Sequence, residues 1–249
     1  MSYSFQSRHR NSGFTLVELA VVLVIIGLIL GAVSIGKDAQ RNAEYTKVKQ
    51  KFIDQWVSAY NSHTMRTGVV PGDSQVEPRL MVNGAMYNAG AGEPISGGDM
   101  TTATSPEPLC GQPLREAMQR AGVGMPPGRA EGAEDRYVYL DSNGNPQEIQ
   151  ICFQWNPPGT LSNSGNVMVV RGLTPDLARS LDQMIDGQPS SRYGAFRQEA
   201  ISGDENVEWQ ANNTFDISTA PGVDGQDMSA TVRDEDQVMV VNAHYKMNQ

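Results

Sequence analysis

Glu18 is the only charged residue between Asn11 and Ile35, and it stands five residues past a glycine in the run Gly13-Phe14-Thr15-Leu16-Val17-Glu18-Leu19. A carboxylate inside so apolar a stretch is costly unless another charge neutralises it, so the chemistry it offers is charge pairing. Other chemically capable groups are sparse. The three histidines, His9, His63 and His244, have no metal-ligand spacing. No nucleophile elbow, phosphate loop or paired-carboxylate motif is evident. Asp141, Asn143 and Asn145 imitate the start of a calcium loop, but Pro146 replaces its glycine and Cys152 its final glutamate, so the segment reads as a turn. Asp182 and Asp186 lie near a helix end and could bind calcium with loop oxygens; the simpler reading is a solvent-facing terminus. Asp224, Asp227, Asp234, Glu235 and Asp236 read as a solvated loop, with calcium as the alternative. The expectation is no catalytic residue, no metal and no cofactor.

The whole chain narrows the classes further. Its 249 residues permit one or two domains. A net charge of −9 argues against a nucleic-acid surface, since phosphate affinity needs clustered cations. Only two cysteines occur, Cys110 and Cys152, which excludes a thiolate cluster. If the body lies outside the cytoplasm they pair and close a long loop; reduced, they are two small apolar residues.

The elements that must position Glu18 come next. From Phe14 to Ile35 every residue is apolar or small except Thr15, Glu18 and Ser34. As a helix, these roughly 22 residues reach about 33 Å, enough for one membrane span. Arg8 and Arg10 precede it, which keeps the N-terminus cytoplasmic and sends the rest across. An ordinary secretory signal ending at Ala32-Val33-Ser34 is one reading, but the apolar run is long for it and carries a carboxylate. A permanent anchor fits the length and leaves Glu18 unexplained.

The run Gly13-Phe14-Thr15-Leu16-Val17-Glu18, followed by the apolar stretch, closely resembles the class III signal of type IV pilins and pseudopilins. The resemblance covers about Asn11 to Ile35, a tenth of the chain. It implies that a prepilin peptidase cuts between Gly13 and Phe14 and methylates the new amine on Phe14. Gly13 lacks a Cβ, so the backbone can unwind into a protease cleft. Glu18 then lies one helical turn from the amine, and in the family it pairs with the terminal amine of a neighbouring subunit. Such a pair favours register more than raw stability. Snorkelling of Glu18 to the headgroups is the plainer alternative. Gly27 and Gly31 form a GxxxG spacing, readable as close helix packing or as ordinary glycine tolerance. Many relatives carry a proline late in the apolar segment; here none occurs before Pro71.

Tyr45, Val48, Phe52, Trp56 and Ala59 step by three or four, which predicts that the helix continues to about Met65 with one face on a globular body. Lys47, Lys49 and Lys51 read as a solvated face or a headgroup patch. Residues 83–108 read as a long loop. A short helix is expected around Leu114 to Ala121. Strands are expected at Tyr137–Leu140, Gln147–Trp155 and Val167–Val170, the first two joined by the turn Asp141–Pro146. A helix capped by Thr174 and stopped by Gly187 follows. Residues 188–236 are loop-rich, with a short strand near Val207–Trp209, and a last strand runs Val238–Tyr245.

The expected fold is α+β: a long N-terminal helix, membrane-embedded in its first half, packed on a small antiparallel sheet, the ladle of the pilins. The expected divisions are a leader over 1–13, an assembly helix over 14–36, its amphipathic continuation over 37–66 and a globular domain over 67–249. Functionally the resemblance implies a structural pilin or minor pilin of a type IV pilus-like filament, not an enzyme. Its partners would be prepilin peptidase, related subunits, the pilus or secretion machinery and inner-membrane lipids. It would reside in the bacterial inner membrane, body periplasmic, before entering a surface pilus or periplasmic pseudopilus. A pseudopilin of a type II secretion system is the alternative, and a membrane-anchored adhesin with binding loops at 83–108 and 188–236 is a second.

Overall fold

The structure, a computed structural model, describes residues 15–87, 99–199, 209 and 240–247, the side chains of 34, 35 and 38 excepted. It divides into two compact units, Met1–Ala43 and Glu44–Gln249. The fold is α+β, an N-terminal apolar helix followed by an antiparallel sheet with helices. Helix α1 spans Leu16–Val48. The expected start at Phe14 lies outside the described residues.

In the second unit, the end of α1 leads into a π-helical turn, Lys49–Ile53, and then α2, Asp54–Thr67, which stops at Gly68 in the left-handed conformation. The apolar stripe read from the sequence is buried in full: Tyr45, Val48, Phe52, Trp56 and Ala59 all belong to the core. The π turn widens this face, because Ile53 is buried beside its neighbour Phe52. Aromatic contacts dock the helix onto strands. Phe52 meets Tyr137 with ring centroids 5.1 Å apart, Tyr60 meets Phe153 at 5.0 Å, and Trp56 meets Phe153 edge-on at 6.2 Å. Each such buried ring contributes about 1.5–3 kcal/mol of apolar burial.

The sheet, among the described residues, has six strands: β1 (Leu109–Cys110), β2 (Arg136–Leu140), β3 (Pro146–Asn156), β4 (Gly165–Leu173), β5 (Phe196–Gln198) and β6 (Val241–Lys246). Their order is β1-β3-β4-β6-β5, with β2 also paired to β3, and every pairing is antiparallel. Ile149, Ile151 and Phe153 of β3, Met168 and Val170 of β4, and Ala243 of β6 join one core with the helices α3 (Gly111–Arg120) and α4 (Pro175–Asp186). The intervening Cys152, Val167 and Val169 form a second cluster on the other side with Cys110. Residues buried on both faces explain why Val167–Val170 reads as an unbroken apolar run.

Cys110 and Cys152 face each other in the β1–β3 register and are joined by a disulfide, with Cα atoms 4.5 Å apart. That is the close spacing of a non-hydrogen-bonded antiparallel pair. Strands β1 and β5 are too short to leave a periodic signal and were not expected. The final strand is placed at Val241–Lys246 instead of Val238–Tyr245, with 238 and 239 outside the described residues.

One position in β4 is sterically closed. Gly172 has φ +82° at the register shift between β4 and β6, and a Cβ there would collide with the Glu148 carbonyl oxygen. Gly172→Ala should therefore cost at least about 2 kcal/mol, from left-handed strain plus a backbone clash. Urea unfolding reads this directly, and a loss under about 0.5 kcal/mol would contradict it.

Candidate functional site

Glu18 sits in the first turn of α1 and its carboxylate is engaged by its own helix end. Oε2 accepts from the Thr15 backbone N–H at 2.8 Å and from the Thr15 hydroxyl at 2.8 Å. The Glu18 N–H donates back to Thr15 Oγ1 at 3.3 Å, and the Leu19 N–H to the Thr15 carbonyl at 3.2 Å. This is a reciprocal capping box, which satisfies two of the donors a helix start leaves open and puts negative charge at the positive end of the helix dipole. The T-x-x-E spacing of Thr15 and Glu18 carried that signal, and the sequence reading passed over it in favour of the charge alone. Gly13 and Phe14 lie outside the described residues.

Behind the cap, Leu16–Val33 has a mean hydropathy of 2.9 and none of it is buried within the structure. It is the one helix among the described residues long and apolar enough to cross a membrane. Leu16 is 85% exposed and Leu28 70%. Exposed apolar surface on this scale needs lipid or other helices to cover it. At Gly27 and Gly31 an added Cβ would meet nothing within 4 Å, so both present bare backbone at the helix surface.

The remaining chemically capable residues are engaged in holding the body together. Asp141 Oδ1 accepts the N–H groups of Asn143 and Asn145 at 2.9 and 2.8 Å, so the calcium-like stretch is the turn of the β2–β3 hairpin. Burial pushes the Asp141 carboxyl up, but the hydrogen bonds from Asn145 and Asn143 outweigh it and leave it below the usual range. His63, at the end of α2, is buried against the Val69 carbonyl at 3.2 Å, and its burial lowers its basicity. His244, on β6, has partners of its own, Asn156 Nδ2 at 3.0 Å and Glu199 Oε1 at 3.7 Å. Among the described residues no group of three or more His, Cys, Asp or Glu side chains gathers as a metal centre would need. Lys47 and Lys49 are paired with Glu44 and Asp54 on the helix surface.

One sequence reading is corrected. Asp182 is not a solvent-facing residue at a helix terminus; it is 0% exposed, and Trp209 Nε1 donates to it at 2.7 Å. The apolar stripe Leu177, Ala178 and Leu181 turns this stretch of α4 inward and carries Asp182 with it. The acids from Asp224 to Asp236 lie outside the described residues, as do Val207 and Glu208 of the short strand expected at Val207–Trp209, of which Trp209 alone is described.

Comparison with known families identifies residues 8–34 as a prokaryotic N-terminal methylation motif. The span takes in Gly13, Phe14, Thr15 and Glu18 and ends within the apolar helix. No curated protein gives a significant match, and neither does any solved structure.

Proposed function

We propose that this chain, which carries the prepilin signal of type IV pilins and pseudopilins, is a structural subunit of a type IV pilus-like filament. The carrying observation is a fully exposed apolar helix whose first turn holds a lone, capped carboxylate inside that signal. Prepilin peptidase would cut after Gly13 and methylate the amine of Phe14. The subunit then waits in the inner membrane with its body periplasmic, an arrangement supported by Arg8 and Arg10 before the span. Assembly withdraws the helix from lipid into contact with other helices, and Glu18 meets the Phe14 amine of an adjacent subunit. Such an ion pair inside packed helices penalises wrong registers, because a mis-set subunit leaves two charges unmatched. Gly27 and Gly31 allow helices to approach closely. The subunit is a building element and catalyses nothing itself.

The pseudopilin reading shares every one of these features and differs in destination, a short periplasmic fibre serving secretion instead of a surface pilus. Electron microscopy of labelled cells separates the two. The test of the shared premise is the mass of the mature protein: a chain starting at N-methylated Phe14 is expected. A start near Ile35 would mean an ordinary secretory signal, and an uncleaved chain a permanent anchor; either result sinks the proposal.

A further inference from the structure

Two carboxylates one turn apart close the C-terminal end of α4. Asp186 Oδ1 accepts the N–H of Ala195 at 3.0 Å and its Oδ2 the N–H of Phe196 at 2.9 Å. Its carboxylate also occupies the space a Cβ on Gly194 would need. Asp182 accepts from the Trp209 indole and from the Ser190 backbone N–H, while its Oδ1 is buried with no hydrogen-bond partner. Between them the two side chains fasten the loop over residues 190–196 and the distant Trp209 to the helix. Two ionised carboxylates are both acceptors, so while both are charged Asp186 on the next turn cannot satisfy Oδ1. Both also stand at the negative end of the helix dipole, and the last turn of α4 holds no basic residue. One proton on Asp182 eases both difficulties: it removes a buried charge and turns Oδ1 into a donor.

We propose that Asp182 takes up a proton in the folded protein, forming a pH-responsive joint that ties α4 to residues 187–198 and to Trp209 and loosens as pH rises. Burial pushes the Asp182 carboxyl up to about 7, opposed by the Trp209 and Ser190 bonds and reinforced by Asp186. The other groups facing the joint are Tyr245 on β6, kept protonated by burial and then by Asp54 and Asp186, and Asp54 on α2 with its partner Lys49. The clamped loop brings Arg192, which has contacts of its own, and Arg197, bonded to the carbonyls of Gly194 and Leu161.

The sign follows from linkage. A carboxyl raised in the folded state holds its proton longer than in the unfolded chain. Its stabilisation is therefore full below the usual carboxylate range, declines as pH climbs, and is gone above about 7. His63 has the opposite slope, since its lowered basicity favours the fold only above the ordinary imidazole range. The comparison that isolates the joint is wild type against Asp182→Asn, full-length and in detergent micelles. Asparagine imitates the protonated acid, accepting from Trp209 and donating to Asp186. The ratio of the two unfolding constants should change by up to about tenfold per pH unit between about pH 4 and 7, with the variant the more stable above 7. A ratio independent of pH overturns the proposal. If the variant does not fold, carbon-13 NMR of aspartate-labelled wild type decides: one carboxyl should titrate near neutrality, and none doing so overturns it. Abolition of that titration by added calcium would put a cation where the proton is placed and overturn it equally.

Discussion

Glu18→Ala should leave the protein processed, folded and membrane-bound, yet reduce its recovery in sheared filaments by roughly two orders of magnitude. On the proposed pairing, the size follows from leaving the terminal amine of the neighbouring subunit buried without its counter-charge. Alanine alone would not separate pairing from capping, because it also removes the bonds to Thr15. Glu18→Gln separates them. Glutamine can close the same capping box but carries no charge. If charge pairing drives assembly, both variants fail; if the cap is what matters, glutamine assembles normally. Immunoblots of shear fractions, with the mature mass checked in parallel, read the outcome. Normal filament yield from Glu18→Gln would remove the charge from the mechanism.

The second large effect is expected from the disulfide. Cys110 and Cys152 are separated by 42 positions, and closing a loop of that size stabilises the fold by about 4 kcal/mol in the chain-entropy account. The bond also fixes the residue that starts α3 against the middle of β3. The double variant Cys110→Ala, Cys152→Ala keeps both sites small and apolar, so most of the loss should report the missing crosslink. Its thermal midpoint should fall by on the order of 10 °C relative to the oxidised protein, measured by near-ultraviolet circular dichroism on full-length chain in micelles. A fall under about 2 °C would mean that the unfolded chain is already confined by other means.

Much of this architecture was legible because its signals are local. The stripe from Tyr45 to Ala59 repeats at the helical period, β3 alternates cleanly through Ile149, Ile151 and Phe153, and Thr174 with Pro175 marks the start of α4. The motif at the N-terminus was readable for a different reason, since one acid in an apolar run is conspicuous. What stayed hidden depends on partners distant in the chain. Strand β5 has three residues and exists because β6 pairs with it, while β1 is two residues held by the disulfide and β3. Asp182 looked like a surface residue because helix-end acids usually are, but the buried stripe of α4 turns it inward and Trp209, distant in the chain, meets it there. The capping box was local and readable, and was eclipsed by the more prominent charge.

The position of β6 has a consequence for how the body comes into being. This strand is the latest described segment of the chain, yet it lies inside the sheet, flanked by β4 and β5. Among the described residues, β5 pairs with β6 alone and β4 has β6 on the side away from β3, so both wait on Val241–Lys246. The sheet therefore cannot reach its final order before this segment is present. Its pairing with β4 joins segments about seventy residues apart, the long-range closure that slows folding.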